Sequence, residues 1–262
     1  MQHILFSPEA WLACLTLIFL EVVLGIDNII FLSIMSNKAP VPKQAKIRRW
    51  GLLLAMVGRI GLLFGVSLLI KLTRPLFTFS TSWMSLTVNG QSIIILLGGL
   101  FLLYKSVSEI HQKLEDKAHD VPEVRARSSK IAAILVQIFL LDLIFSIDSV
   151  LTAIGMVSFN EFGYTGAMSI MIAAIVVAVV IMMFFATPVS HFVNNHPTVQ
   201  MLALSFLILI GVTLLVEAGH LSHLTIMGNP ISEIPKGYIY FAILFSLGVE
   251  MLNLKLSAKN KK

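Results

Sequence analysis

The sequence predicts an all-α membrane protein of seven transmembrane helices, arranged as an inverted 3+3 helix repeat with a seventh helix added. Three observations predict it. Of 262 residues, 57% are hydrophobic and only 13% charged, with a mean hydropathy of +0.90; an average soluble domain carries roughly 25% charged residues. The apolar residues gather in runs near the roughly 20 residues a helix needs to cross a bilayer. Finally, a pair of acids recurs at one spacing inside two of those runs. The composition excludes an ordinary water-soluble domain, and also a disordered chain, which is poor in apolar residues. The single cysteine, Cys14, excludes a disulfide framework and any cysteine-based zinc or iron–sulfur site.

In chain order the runs fall at about 10–35, 50–71, 91–105, 131–157, 167–187, 199–217 and 237–254. Lipid offers no partner for a free backbone amide, so only helices and closed barrels cross it. No alternating ten-residue barrel pattern is visible, and the runs are read as helices. The first run is a span and not a secretory signal. Residues Met1–Glu9 contain no Lys or Arg, and the apolar stretch continues through Met35, too long for a signal's apolar core. The third run is short and extends at either end.

The connectors set the orientation. Loop 36–50, loop 105–130 and the tail after 254 together hold fifteen Lys and Arg. The opposite side holds three, Lys71, Arg74 and Lys236, while Arg59 lies inside the second span. Positive residues stay cytoplasmic, so the N-terminus is expected outside and the C-terminus in the cytoplasm. The net charge of +5 then reports topology, and no nucleic-acid partner is expected. The whole chain, 1–262, reads as a single transmembrane domain: repeat one about 10–105, a solvated cytoplasmic linker about 106–130, repeat two about 131–217 and the extra helix about 237–254.

The repeat carries the chemistry. FLEVVLGIDNIIFLSIM at 19–35 aligns with LLDLIFSIDSVLTAIGM at 140–156 at a constant offset of 121. Glu21 meets Asp142, Asp27 meets Asp148, Asn28 meets Ser149 and Gly25 meets Ser146. An odd number of crossings separates spans one and four, so they run in opposite directions. Inverted repeats place ion sites near the midplane, on interrupted helices. Gly25 and Ser146 each permit a kink or an unwound turn. In an unbroken helix, residues six apart point about 240° from each other, so local unwinding is expected to turn Asp27 and Asp148 toward the cavity that Glu21 and Asp142 face.

An ionisable side chain at mid-membrane costs roughly 2.5–3.5 kcal/mol, so four unpaired acids cost on the order of 10 kcal/mol. They need protons, donors or a metal cation. Carboxylates, an amide oxygen and hydroxyls suit hard divalent cations, namely Mg, Ca or Mn. Glu21, Asp27, Asn28, Asp142, Asp148 and Ser149 are therefore the candidate metal ligands. Helices hydrogen-bonded together by the acids, with no cation, are the bland alternative. Met35 and Met156 also match at the offset, but eight residues beyond each Asp they read as packing. Arg59 either pairs with an acid or snorkels. Glu217, His220 and His223 read as interfacial polar residues or a cation vestibule, and Glu250 lies late in span seven.

The stretches Glu21–Asn28, Leu141–Val150, His196–Glu217 and Gly237–Leu254 resemble the TerC family of integral membrane proteins, in particular its compact seven-helix YgdQ-type members. Glu21, Asp27, Asn28, Asp142, Asp148 and Ser149 match the family motifs residue by residue. The resemblance implies a bacterial inner-membrane exporter of divalent cations, with Mn2+ foremost, and the ligand types keep Ca2+ as the alternative cargo. No permanent cofactor is expected. The partners expected are the lipid bilayer, the metal cation and protons. No GxxxxGK[ST] motif is present to bind ATP, so exchange for protons is the expected drive. Two other functions compete. A membrane assembly factor supplying metal to exported proteins would keep the site without independent flux. An intramembrane aspartyl protease would need two Asp sharing a proton, but its GxGD and YD sequences are missing, and no enzymatic activity is expected.

Overall fold

The computed structural model describes residues 7–37, 39–115 and 129–259. Ser7 accepts a hydrogen bond from the Ala10 amide at 3.2 Å and caps α1, Pro8–Val23, with Pro8 in the first turn where its missing N–H costs nothing. The chain breaks at Leu24 and Gly25, bends by 42° and continues as α2, Ile26–Ser36. Next come α3, Val41–Phe64, and α4, Val66–Leu72, separated by Gly65. A hairpin follows, β1 Pro75–Ser80 and β2 Met84–Asn89, and leads directly into α5, Gly90–Glu115. The second half comprises α6 (Ser129–Met156), α7 (Phe159–Asn195), α8 (Pro197–Leu221), the two-residue strands β3 (Thr225–Ile226) and β4 (Asn229–Pro230), and α9 (Lys236–Lys259).

Among the described residues five helices, α5 to α9, are long and apolar enough to cross a membrane, and the bent pair α1/α2 makes a sixth. The stretch expected as span two is not one unbroken apolar helix. Its helix α3 starts within the basic stretch and carries Lys43, Lys46, Arg48 and Arg49 in its first turns. Gly65 then ends it, leaving the apolar remainder shared with α4. Helix α5 likewise runs on to Glu115, so the first residues expected in the linker are helical. The chain is mostly helical, as expected of an all-α membrane protein, with short strands added in two connectors. A four-stranded antiparallel sheet, ordered β1-β2-β3-β4, is formed by the connectors before α5 and after α8. Its alternating stretch is shorter than the apolar runs on either side and is hidden between them.

The helices form two compact units, each drawing elements from both halves of the sequence. The first holds α1 to α3, α4 as far as Lys71, α6, and α7 as far as Phe192. Glycines let α3 lie close on α6: a Cβ at Gly51 would stand 2.8 Å from Leu32 and 3.2 Å from Ile138, and one at Gly58 2.8 Å from Phe139. Contacts advance together along α3 and α6, which are therefore parallel. Along α2 and α6 they run oppositely: Asn28 meets Asp142, while Leu32 and Ile138 both meet Gly51. Helix α7 threads this unit on small and flexible residues, with Ala167, Met171, Ala174, Ala178 and Met182 buried. In the second unit α5 packs along α8, where a Cβ on Gly99 would lie 3.0 Å from the Gly211 carbonyl oxygen. Large apolar side chains point outward from many helices, among them Leu12, Phe19, Phe184 and Phe245. A helix facing lipid bears such residues without penalty.

Candidate cation site

Three charged side chains converge inside the first unit. Glu21, near the end of α1, is 4% exposed; Arg59, on α3, 3%; and Asp142, on α6, 6%. The guanidinium of Arg59 joins the two acids. Its Nη1 donates to Glu21 Oε2, its Nε to Asp142 Oδ2 at 3.1 Å and its Nη2 to Asp142 Oδ1 at 2.6 Å. The bond pair to Asp142 is the parallel fork that suits a planar guanidinium and a carboxylate. Among these three groups, one positive charge faces two negative ones.

Neutral donors complete the arrangement. Asn28 Nδ2 donates to Asp142 Oδ1 at 2.9 Å, and Ser146 Oγ donates to the Asp142 backbone carbonyl at 2.5 Å, with its carboxylate Oδ2 at 3.2 Å. A cavity of about 10 Å³, room for roughly one water molecule, opens beside Asn28 and Asp142 and is otherwise walled by apolar groups including Phe31, Leu52 and Leu141. Arg59 therefore does not snorkel; it is the counter-charge of the first acid of each repeat.

Of the six expected ligands, the fold brings Glu21, Asn28 and Asp142 together. Ser149 is buried one turn further along α6, and its hydroxyl donates to the Ser146 carbonyl at 3.4 Å. Asp27 lies in the first turn of α2 and Asp148 within α6; their carboxylates lie outside the described residues. The two expected helix breaks have different outcomes. Gly25 stands at a real one, between α1 and α2. At Ser146 the helix is continuous from Ser129 to Met156, because a serine fits a helix and turns its hydroxyl back onto the carbonyl four residues earlier. The expected unwinding beside Asp148 is thus absent.

The break at Gly25 depends on that residue having no side chain. A Cβ there would lie 2.5 Å from Met182 Sδ and 2.9 Å from the Glu21 carbonyl oxygen. Met182 can move, but the backbone oxygen cannot move cheaply. Gly25→Ala is expected to cost about 1–3 kcal/mol, the usual range for overpacking, measured as a lower melting temperature in detergent. Met182→Ala combined with it should recover only part of the loss, because the clash with Glu21 persists.

Other candidates separate from this site. Met35 is fully buried while Met156 is 44% exposed, so the matched methionines do not share an environment. His220 Nδ1 bonds the Ile231 carbonyl at 3.1 Å, and Glu250 accepts from Thr198 Oγ1. Among the described residues no three His, Cys, Asp or Glu cluster so as to hold a metal ion. Arg48, counted from the sequence among the basic residues of loop 36–50, lies buried on α3 and donates to Ser36 Oγ at 3.2 Å.

Comparison with known proteins places the chain among membrane proteins. A family model described as "Integral membrane protein TerC family" matches residues 6–262. The UPF0053 inner membrane protein YgdQ of Escherichia coli K12 is 46% identical over 254 residues, covering 97% of this chain and 96% of that protein. A UPF0053 protein of Haemophilus influenzae is 43% identical over 250 residues, 95% of each chain. The longer UPF0053 inner membrane protein YoaE of Escherichia coli K12 is 41% identical over 252 residues, covering 96% of this chain and 44% of its own length. No solved structure matches.

Proposed function

The chain belongs to the TerC family of integral membrane proteins, and on that footing we propose that it is a secondary transporter exporting a divalent metal cation, Mn2+ foremost, in exchange for protons. The proposed ligands are Glu21, Asp27, Asn28, Asp142, Asp148 and Ser149. The membrane is the bacterial inner membrane, the one named for its YgdQ relative, with the C-terminus cytoplasmic. The opposite directions of α2 and α6 support the inverted repeat on which the site rests.

The observation that carries this reading is the Arg59 bridge between Glu21 and Asp142. Buried ion pairs add little stability over apolar packing of equal volume, so a structural staple gives a weak reason for keeping one inside an apolar bundle. A guanidinium resting between two acids is a resident cation. A divalent ion entering the site takes over the carboxylate oxygens that Arg59 now holds, and protons reset them. Moving one charge out of a cell against its potential costs about 2.3 kcal/mol per 100 mV, and a bare divalent ion twice that. Exchange for two protons cancels this electrical cost, and acids that alternate between metal and proton perform the exchange.

The reading has a direct cellular test. Cells overproducing the protein should hold less Mn2+ and grow at higher external Mn2+ than cells with an empty vector, measured by elemental analysis and growth. Unchanged cellular Mn2+, with the protein verified in the membrane, would contradict it.

A further inference from the structure

From Phe77 onward, past the irregularity at Leu76, the small sheet has a divided surface. Residues opposite each other in an antiparallel pair share a face. Phe77 pairs with Val88, Phe79 with Leu86 and Met84 with Ile226, so these six form one face. Thr78 pairs with Thr87, Ser80 with Ser85 and Ser85 with Thr225, and the opposite face is built of hydroxyls. The Ser85 and Thr225 hydroxyls bond each other at 2.6 Å. Such alternation normally marks a sheet with one face on a core and one in water. Here the outer part of the apolar face is uncovered: Phe77 is 58%, Phe79 51% and Ile226 42% exposed, while Met84, Leu86 and Val88 are half-buried.

The place of this sheet in the fold says what covers it. Asn89 ends β2 and caps α5, accepting from the Ser92 amide at 2.7 Å, and its Nδ2 donates to the Leu221 carbonyl at the end of α8 at 2.7 Å. The Thr87 amide donates to the Ser222 carbonyl at 2.7 Å. The sheet is thus pinned to the ends of two helices of membrane-crossing length. Aromatic side chains concentrate at the membrane–water boundary, and Trp83 at the hairpin tip is 55% exposed. Lys71 and Arg74, both exposed, stand just before β1 and complement lipid phosphates.

We infer that the β1–β2 hairpin, with Ile226 of β3, is a lipid-binding surface that lies at the polar–apolar boundary of the bilayer, apolar face inward and hydroxyl face to water. Adjacent residues provide the test. The full-length protein, with its native tryptophans changed to Phe, is reconstituted in phosphatidylcholine/phosphatidylglycerol vesicles and carries one reporter, Phe79→Trp or Thr78→Trp. Lipids brominated high on the acyl chain should quench Phe79→Trp several-fold more than Thr78→Trp, while aqueous acrylamide should show the reverse order. Equal, strong acrylamide quenching of both would overturn the inference by placing the apolar face in water. A Phe79→Trp reporter shielded from both quenchers would also overturn it, placing a second copy of the chain on the face. Nitroxide labels on Phe79→Cys and Thr78→Cys in a Cys14→Ala background read the same contrast without exchanging tryptophans, through their accessibility to oxygen and to a water-soluble nickel complex.

Discussion

Arg59→Gln should destabilise the protein at neutral pH by about 3–5 kcal/mol, the cost of removing one partner from a buried ion pair, and added Mn2+ should return much of that loss. The first effect follows from the bridge: without the guanidinium, Glu21 and Asp142 stand at 4% and 6% exposure with their main donor gone. The second distinguishes a cation site from a staple. A ligand that binds only the folded state at one hundred times its Kd contributes about 2.7 kcal/mol, and in the variant Mn2+ has no resident cation to displace. Wild-type protein should gain less from the same Mn2+. Arg59→Lys keeps the charge but loses the fork to Asp142, and should fall between the two. The measurement is thermal unfolding in detergent across a Mn2+ series. A loss of stability that Mn2+ leaves unchanged would mark the acids as helix connectors.

The second large effect concerns flux. Asp27→Asn and Asp148→Asn should each abolish Mn2+ movement while the protein still inserts, since removing a charge at membrane depth relieves the costly part of insertion. Glu21→Gln and Asp142→Asn should reduce metal binding and shift its pH dependence, because protons compete with metal for the carboxylates that remain. Asp142→Asn carries an added structural penalty. Its new amide N–H group would face donors on Arg59 and Asn28. Glu9 and Glu161 serve as controls outside this site. Normal flux in both Asp27→Asn and Asp148→Asn would move the search to the Glu217–His220 region.

Much of the helical framework was legible because lipid permits few alternatives: a long apolar run must be a helix, and its ends follow its composition. Span two was harder to read, because hydropathy does not show that its helix begins among Lys43, Lys46, Arg48 and Arg49. The sheet was missed for a related reason, since a search for long runs passes over a short alternating stretch. Within the site, the internal repeat revealed Glu21 and Asp142 as a pair, but no local pattern brings Arg59 to them from 38 residues away on one side and 83 on the other. The unequal breaks at Gly25 and Ser146 depend on the neighbouring Met182 and on a back-bonded hydroxyl, both properties of packing.

The most direct test of the central claim is ion flux through the purified protein in proteoliposomes. A dye inside the vesicles reports Mn2+, a second dye reports pH, and Ca2+, Mg2+, Co2+ and Zn2+ are compared under the same gradients. The account predicts Mn2+ movement in one direction matched by protons in the other, driven by either gradient and lost in Asp27→Asn and Asp148→Asn. Vesicles holding correctly folded protein that pass no divalent cation, under either gradient, would contradict it.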